Sequence, residues 1–211
     1  MVVRMHRISH DSRQYRRYKA QFESSWTHPN KSATVKQIYL ADEDELDRSC
    51  RGTQFNKYLD RNGEEWDEWF HGTQRACYVG EAGDSLSYCY NPECSLCCIL
   101  RYSFDVRQAS DGGMFGRGIY TSPCSSKADI YAKNHYIRSN KHAILICRVV
   151  SNSPRLMTTA DHSLTSPGYG YDSVAGLTQG DGGSLKYPEV VVYRNDAIVP
   201  VGVIIYTREA C

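Results

Sequence analysis

Residues 112–131 read GGMFGRGIYTSPCSSKADIY, and the reading of this stretch decides the fold. Gly112, Gly113, Gly116 and Gly118 are four glycines within seven residues. Glycine admits positive φ and lets a ligand approach the main chain closely. The pair Ile119-Tyr120 reads as the start of a buried strand, which Ser122-Pro123 then breaks. Ser125 or Ser126 can cap a short helix that ends near Tyr131. A flexible loop, a strand end and a helix start therefore converge on one corner. Tyr120 and Tyr131 facing each other across it would form a slot for a flat aromatic ligand. On the residues alone, a glycine-rich turn followed by core tyrosines is the competing reading. The strand–GxGxxG–helix order of a dinucleotide fingerprint is absent.

The 211 residues suffice for one domain with a sizeable core, or for a domain plus an arm. A net charge of +1 with 23% charged residues argues against a generally basic nucleic-acid binder or an acidic tail. No apolar run reaches membrane-spanning length, and MVVRMHRISH at the N-terminus lacks the apolar core of a secretory signal. The expected setting is intracellular, in cytoplasm or nucleus, with no membrane partner.

Residues 1–33 are expected to form an arm that packs on the domain through Phe22 and Trp26. Residues 34–40 have β character. Asp42 or Asp44 can start a helix carrying Leu46, Phe55, Tyr58 and Leu59, interrupted at Gly52. Residues 65–70, EWDEWF, read as an aromatic strand ending at His71-Gly72-Thr73. Residues 100–108 read as a short helix or strand, and residues 142–150 (HAILICRVV) as a buried strand. Residues 151–183 form a long polar connection too long to be structureless throughout. Two closing strands follow, over residues 186–193 and 198–206.

Nine cysteines include five between positions 77 and 98, in the pattern C-x11-C-x4-C-x2-C followed by Cys98. An odd total with a C-x-x-C pair and no secretory signal favours metal over disulfides. Cys77, Cys89, Cys94 and Cys97 are the candidate zinc ligands, with Cys98 expected to face the core. The insert spans residues 74–103, a segment too short and polar to build its own core. A set of reduced, partly buried thiols is the alternative.

The 112–131 stretch resembles the donor loop and following strand of the poly(ADP-ribose) polymerase-like ADP-ribosyltransferases. Its order is that of the tankyrases, with GGMFG-x-GIY followed by SSK and then a tyrosine. HGT at 71–73 and the strand PEVVVY at 188–193 resemble the same family, and the Cys-rich insert after HGT resembles that of a group of its fungal members. The likeness covers roughly residues 34–206. It implies an α+β fold of two packed, mainly antiparallel sheets with flanking helices, over a catalytic domain at 34–211.

It also implies roles. The catalytic set would be His71, Tyr120 and Glu189. His71 would bond the adenosine ribose of NAD, and the Gly72 backbone would hold the nicotinamide carboxamide. Tyr120 and Tyr131 would sandwich the nicotinamide ring, with Thr73, Gly113 and Lys127 completing the NAD site. Glu189 would stabilise the oxocarbenium-like transition state and orient the acceptor. For Glu189 the bland alternative is an edge-strand charge facing water. One departure stands out: Ala128 replaces a serine that in the family bonds the nicotinamide amide. That loss would weaken NAD binding by roughly 1 kcal/mol. The implied activity is transfer of ADP-ribose from NAD to a protein or nucleic-acid acceptor. NAD hydrolysis to free ADP-ribose and non-enzymatic binding of ADP-ribose-like ligands are the alternatives. Acceptor identity, chain length of the product and oligomeric state are left open.

Overall fold

Five antiparallel strands in the order β1-β2-β9-β5-β3 form the larger sheet of the computed structural model, which describes residues 2–210. In chain order the elements are β1 (Met5–Arg7), α1 (Arg13–Ser24), β2 (Lys31–Ala41), α2 (Glu43–Arg48), α3 (Cys50–Leu59), β3 (Asp67–Gly72) and α4 (Ser95–Tyr102). Then come β4 (Ile119–Thr121), α5 (Ser125–Tyr131), β5 (Lys141–Val149), β6 (Pro154–Met157), β7 (Ser173–Gly176), β8 (Glu189–Val192) and β9 (Ile198–Ala210). The smaller sheet runs β4-β8-β7-β6, with only β6 and β7 parallel. A bridge between Phe70 and Ser122, with N–H···O bonds of 2.8 and 2.9 Å, joins the edge of the first sheet to the second. This is the expected α+β architecture of two mainly antiparallel sheets with flanking helices.

The runs HAILICRVV and IVPVGVIIY are almost wholly apolar because the larger sheet is covered on both faces. Along β5, Ile144 and Ile146 enter one core, while Ala143, Leu145, Cys147 and Val149 enter the other. In β9 the alternation changes phase: Val199 and Val201 share the first core with Ile204 and Tyr206, while Val203 and Ile205 lie in the second. The cause is an extra β9 residue, since Ile146 pairs with Gly202 but Cys147 pairs with Pro200. A bulge of this kind moves every later side chain to the opposite face.

Residues 2–33 are built into this framework. β1 pairs with β2, and the 33/34 boundary falls inside β2. Ser12 caps α1 by accepting from the Tyr15 N–H, and Tyr15, Tyr18 and Phe22 lie at helical spacing on its buried face. Phe22 is fully buried, and Trp26 packs beside it.

Two local expectations are corrected. The helix started by Asp42 ends at Ser49, not Gly52, because the Ser49 hydroxyl caps the next helix, accepting from the Gly52 N–H at 3.0 Å. Ser125 and Ser126 do not cap α5, whose N-cap position is Cys124. The Ser125 hydroxyl instead donates to the Phe22 carbonyl (2.7 Å), and Ser126 Oγ accepts from the Thr27 N–H (2.7 Å). The long connection at 151–183 contains β6, β7 and a 3-10 turn at Gln179–Asp181, so it is not structureless.

Arg75 is the largest fully buried side chain among the described residues. Its guanidinium donates to the carbonyls of Val79 (3.2 Å) and Lys141 (2.6 Å) and to Asn134 Oδ1 (3.1 Å), and pairs with Glu81 at 2.9 Å. Its backbone N–H and C=O bond Lys133 and His135, each at 2.8 Å. Arg75 thus fastens the Cys-rich segment to the chain that follows α5. Arg75→Met would leave the Glu81 carboxylate without its cation and the Val79 carbonyl without its guanidinium donor. We expect a loss of about 3 kcal/mol or more in urea denaturation, whereas a loss under about 1 kcal/mol would show that the hub is not structural.

Candidate functional site

Glu189 opens β8, an interior strand flanked by β4 and β7, and it is only 3% exposed. The edge-strand alternative is therefore wrong for this residue. Its Oε1 is ion-paired with the Lys127 ammonium from α5, itself largely buried. Burial alone would lower the Lys127 pKa, but the bond and charge of Glu189 outweigh it and raise it, so Lys127 stays charged. Glu189 Oε2 is buried and has no hydrogen-bond partner. An acceptor this buried is satisfied in native structures by a partner or a ligand.

Tyr120 lies in β4, where it registers with Val191 of β8. Its hydroxyl donates to the Gly116 carbonyl and accepts from the Phe115 N–H, both at 2.8 Å. The phenol thus braces the glycine loop. Burial pushes its pKa up to about 12, with Glu189 and Tyr131 adding to the rise, so it remains a donor at neutral pH. Gly113 must be glycine here: a Cβ would sit 2.1 Å from the Tyr120 hydroxyl oxygen. Tyr131, half exposed, ends α5, and the Lys127 ammonium lies 5.4 Å from its ring centre.

His71 and Gly72 end β3. The Nδ1 of His71 lies 2.7 Å from the Tyr120 carbonyl, which can only accept, so Nδ1 carries the proton. Burial lowers the pKa of His71, leaving a neutral ring whose Nε2 is a free acceptor. The Phe104 ring meets the imidazole edge to face, centroids 5.0 Å apart at 84°. The backbone of Phe70 bonds outward to Ser122. By the alternation of an antiparallel strand, the N–H and C=O of Gly72 point to that same outer edge. There Gly72 packs against α5 so closely that a Cβ would lie 1.8 Å from the Ala128 carbonyl oxygen. Thr73 follows, half buried. Ala128 is 3% exposed and brings no side-chain donor to this corner.

The structure therefore brings together His71, Gly72, Tyr120, Lys127, Tyr131 and Glu189, with Thr73 and Gly113 at the margins. The 151–183 segment closes over the glycine loop: Asp161 N–H donates to Met114 O (2.9 Å), Arg117 N–H to Leu164 O (3.1 Å), and His162 Nδ1 to Gly113 O (2.9 Å). A cavity of about 570 Å³ lies elsewhere, between α1 and the sheet, lined by Arg17, Trp66, Glu68 and Arg148. It includes none of the residues above.

The Cys-rich segment gathers as well. The Sγ atoms of Cys77, Cys89, Cys94 and Cys97 all lie within 4.8 Å of one another, with Cys77 at 3.7 Å from Cys94 and 3.6 Å from Cys97. A tetrahedron with metal–sulfur bonds near ~2.3 Å has edges of about 3.8 Å. Contacts from Cys77 and Cys97 pull Cys94 toward the thiolate, and the Ala76 N–H donates to its sulfur at 3.3 Å. Four cysteines so placed can hold a metal ion. Cys98 does not face the core as expected. Cys97 already faces the cluster, and the next residue on α4 turns about 100° away, half exposed beside the Asn91 and Pro92 carbonyls.

A family model, the poly(ADP-ribose) polymerase catalytic domain, matches residues 12–210. The chain belongs to this family. The match begins at the N-cap of α1 and reaches the end of β9, so it takes in every strand but β1 and the corner around Glu189. For a member of this family, sequence reading found the residue types at that corner but missed three pairings. These are the Lys127–Glu189 ion pair, the Phe104–His71 contact, and the partners of Asp129 in α5. Asp129 is 1% exposed, paired with Arg208 at 2.7 Å and accepting from the Tyr206 hydroxyl. Each joins residues distant in the chain, and no local pattern announces it.

The lowered His71 pKa makes a signed prediction. A base that is neutral when buried but titrates when unfolded stabilises the fold above its ordinary value of 6.5, and that stability falls as pH drops through the lower folded value. His28 and His142 are also lowered by burial and contribute in the same sense. Urea unfolding between pH 7.5 and 5 should show a decline below about pH 6.5 that is shallower in His71→Asn. Parallel curves would refute a buried neutral His71.

Proposed function

We propose that the chain transfers ADP-ribose from NAD to a macromolecular acceptor and releases nicotinamide. The observation that carries this reading is the buried Glu189 carboxylate, with one oxygen held by Lys127 and the other without a partner. His71 and Gly72 reach the same corner through Tyr120, whose carbonyl holds His71 Nδ1, and through α5, where Gly72 abuts Ala128 next to Lys127.

The mechanism follows from those groups. Gly72 holds the nicotinamide carboxamide through its N–H and C=O, and Tyr120 and Tyr131 flank the ring. His71 Nε2 accepts from an adenosine ribose hydroxyl. Nicotinamide leaves neutral from a cationic state, so its departure needs no general acid. Positive charge then develops on the ribose as in glycoside cleavage. The Glu189 carboxylate stabilises that charge in a dry site, where fixed charges count most. Its free oxygen accepts from the ribose 2′-hydroxyl and orients or deprotonates the incoming acceptor. Lys127 fixes the carboxylate's orientation through the ion pair. The acceptor is a protein or a nucleic acid, approaching past the 151–183 segment. Water as acceptor would make the enzyme an NAD glycohydrolase, and the test below separates the two.

The four cysteines bind a structural Zn²⁺, on the fit of their sulfur tetrahedron to a Cys₄ site. All eight described cysteines are free, which suits a reducing compartment, cytoplasm or nucleus. No helix among the described residues is long and apolar enough to cross a membrane.

Nicotinamide release by Glu189→Gln should fall about 100-fold or more. With labelled NAD, label should appear on protein or nucleic acid in the wild type only. Glu189-dependent release with label only in free ADP-ribose would indicate the glycohydrolase, and no release despite NAD binding would sink the enzyme reading. Metal analysis should find about one zinc per chain, lost in Cys94→Ser. A metal-free, fully stable wild type would contradict the zinc assignment.

A further inference from the structure

We infer that Phe104 is a positioning residue for His71, held in place by the cysteine cluster, so that this cluster sets affinity on the ribose side of the site. The inference rests on the NAD site proposed above and adds a second layer to it.

The His71 ring is fixed at two points. Nδ1–H is bonded to the Tyr120 carbonyl, and one side of the ring meets Phe104. Turning the imidazole to redirect Nε2 would break both contacts at once. Phe104 is 6% exposed and belongs to the same apolar cluster as Cys94, Cys97 and Leu100. It follows α4 by two residues, and α4 begins at the cluster: Cys94 is its N-cap and Cys97 lies in its first turn. The linking residue is Ser103, with φ 68° and ψ −175°. That region is essentially restricted to glycine and costs about 1–3 kcal/mol elsewhere. The Ser103 N–H, bonded to the Ile99 carbonyl at 2.7 Å, holds the bend. The backbone is thus bent against its own preference to bring Phe104 onto the imidazole.

The cluster grips the other flank too. Cys77 lies five residues after Gly72 in the chain. Between them Leu96 N–H donates to Gln74 O at 3.0 Å, and Ala76 N–H donates to Cys94 Sγ at 3.3 Å. Both approaches to His71 and Gly72 are tied to the four sulfurs. Gly72 has an independent support in α5, through its contact with Ala128. The ribose side therefore depends on the cluster more than the nicotinamide side does.

The test compares two probes and one titration in Phe104→Leu, which keeps the site apolar. Benzamide reports the slot between Gly72 and Tyr131; ADP-ribose reports the His71 side. We expect ADP-ribose binding to weaken about tenfold, as for one lost well-aligned hydrogen bond, with benzamide binding changed less than about twofold. The His71 resonances, followed by NMR against pH, should titrate closer to the ordinary histidine value, because a mobile ring reaches water. Wild-type protein stripped of metal by a chelator should shift the same three readouts in the same directions, which covers the case of a leucine variant that does not fold. Ser103→Gly should raise the unfolding midpoint and retain ADP-ribose binding. Equal loss of both probes, unchanged ADP-ribose binding, or an unmoved His71 titration would overturn the inference. If the wild type bound neither probe, the NAD reading would fail, and the His71 titration would still decide whether Phe104 positions the ring.

Discussion

The ion pair between Lys127 and Glu189 is the interaction on which this site depends. Burying a lone carboxylate is so costly that the group normally takes up a proton instead. Lys127 sets a charge of opposite sign against Glu189 within the same pocket. The pair is still not a device for stability, since an apolar pair of similar size is often as stable or more so. What the pair supplies is chemistry: a buried carboxylate fixed in direction, with one oxygen free.

Much of the fold serves to hold α5, which supplies Lys127, Ala128 and Tyr131. A seven-residue helix has little stability of its own. Asp129 ties it to β9 through Tyr206 and Arg208, and His28 Nε2 lies 3.1 Å from the same carboxylate. Ser125 and Ser126 tie it to the end of α1 and the chain that follows, and Gly72 abuts its Ala128 carbonyl. The N-terminal segment thus contributes to the site without touching it. On the opposite side, the cysteine cluster and Arg75 hold α4 and the chain leaving β3. The corner around Glu189 lies between these two buttresses.

Local features were readable from the sequence where local physics decides them. The glycine loop, the strand ending at His71-Gly72 and the apolar runs of β5 and β9 depend on backbone freedom and burial, which residue type reports directly. The grouping of Cys77, Cys89, Cys94 and Cys97 was readable from spacing. What failed was decided by partners far along the chain. Ser125 and Ser126 look like caps, but residues about 100 positions away claim both hydroxyls. Arg75 looks like a surface arginine and is buried because Glu81, Asn134 and Lys141 surround it. Glu189 reads equally as an edge charge until β4 and β7 are seen on either side of β8. The extra residue in β9 is invisible in a run that is apolar at almost every position.

The most direct measurement is a double-mutant cycle on single-turnover nicotinamide release, using wild type, Lys127→Met, Glu189→Gln and the double variant. If Lys127 acts by orienting Glu189, the double variant should be no slower than the Glu189→Gln single, because Lys127 has nothing left to act on. Multiplying losses, with the double variant slower than either single by the product of their separate effects, would show that the two residues act independently and would contradict the account.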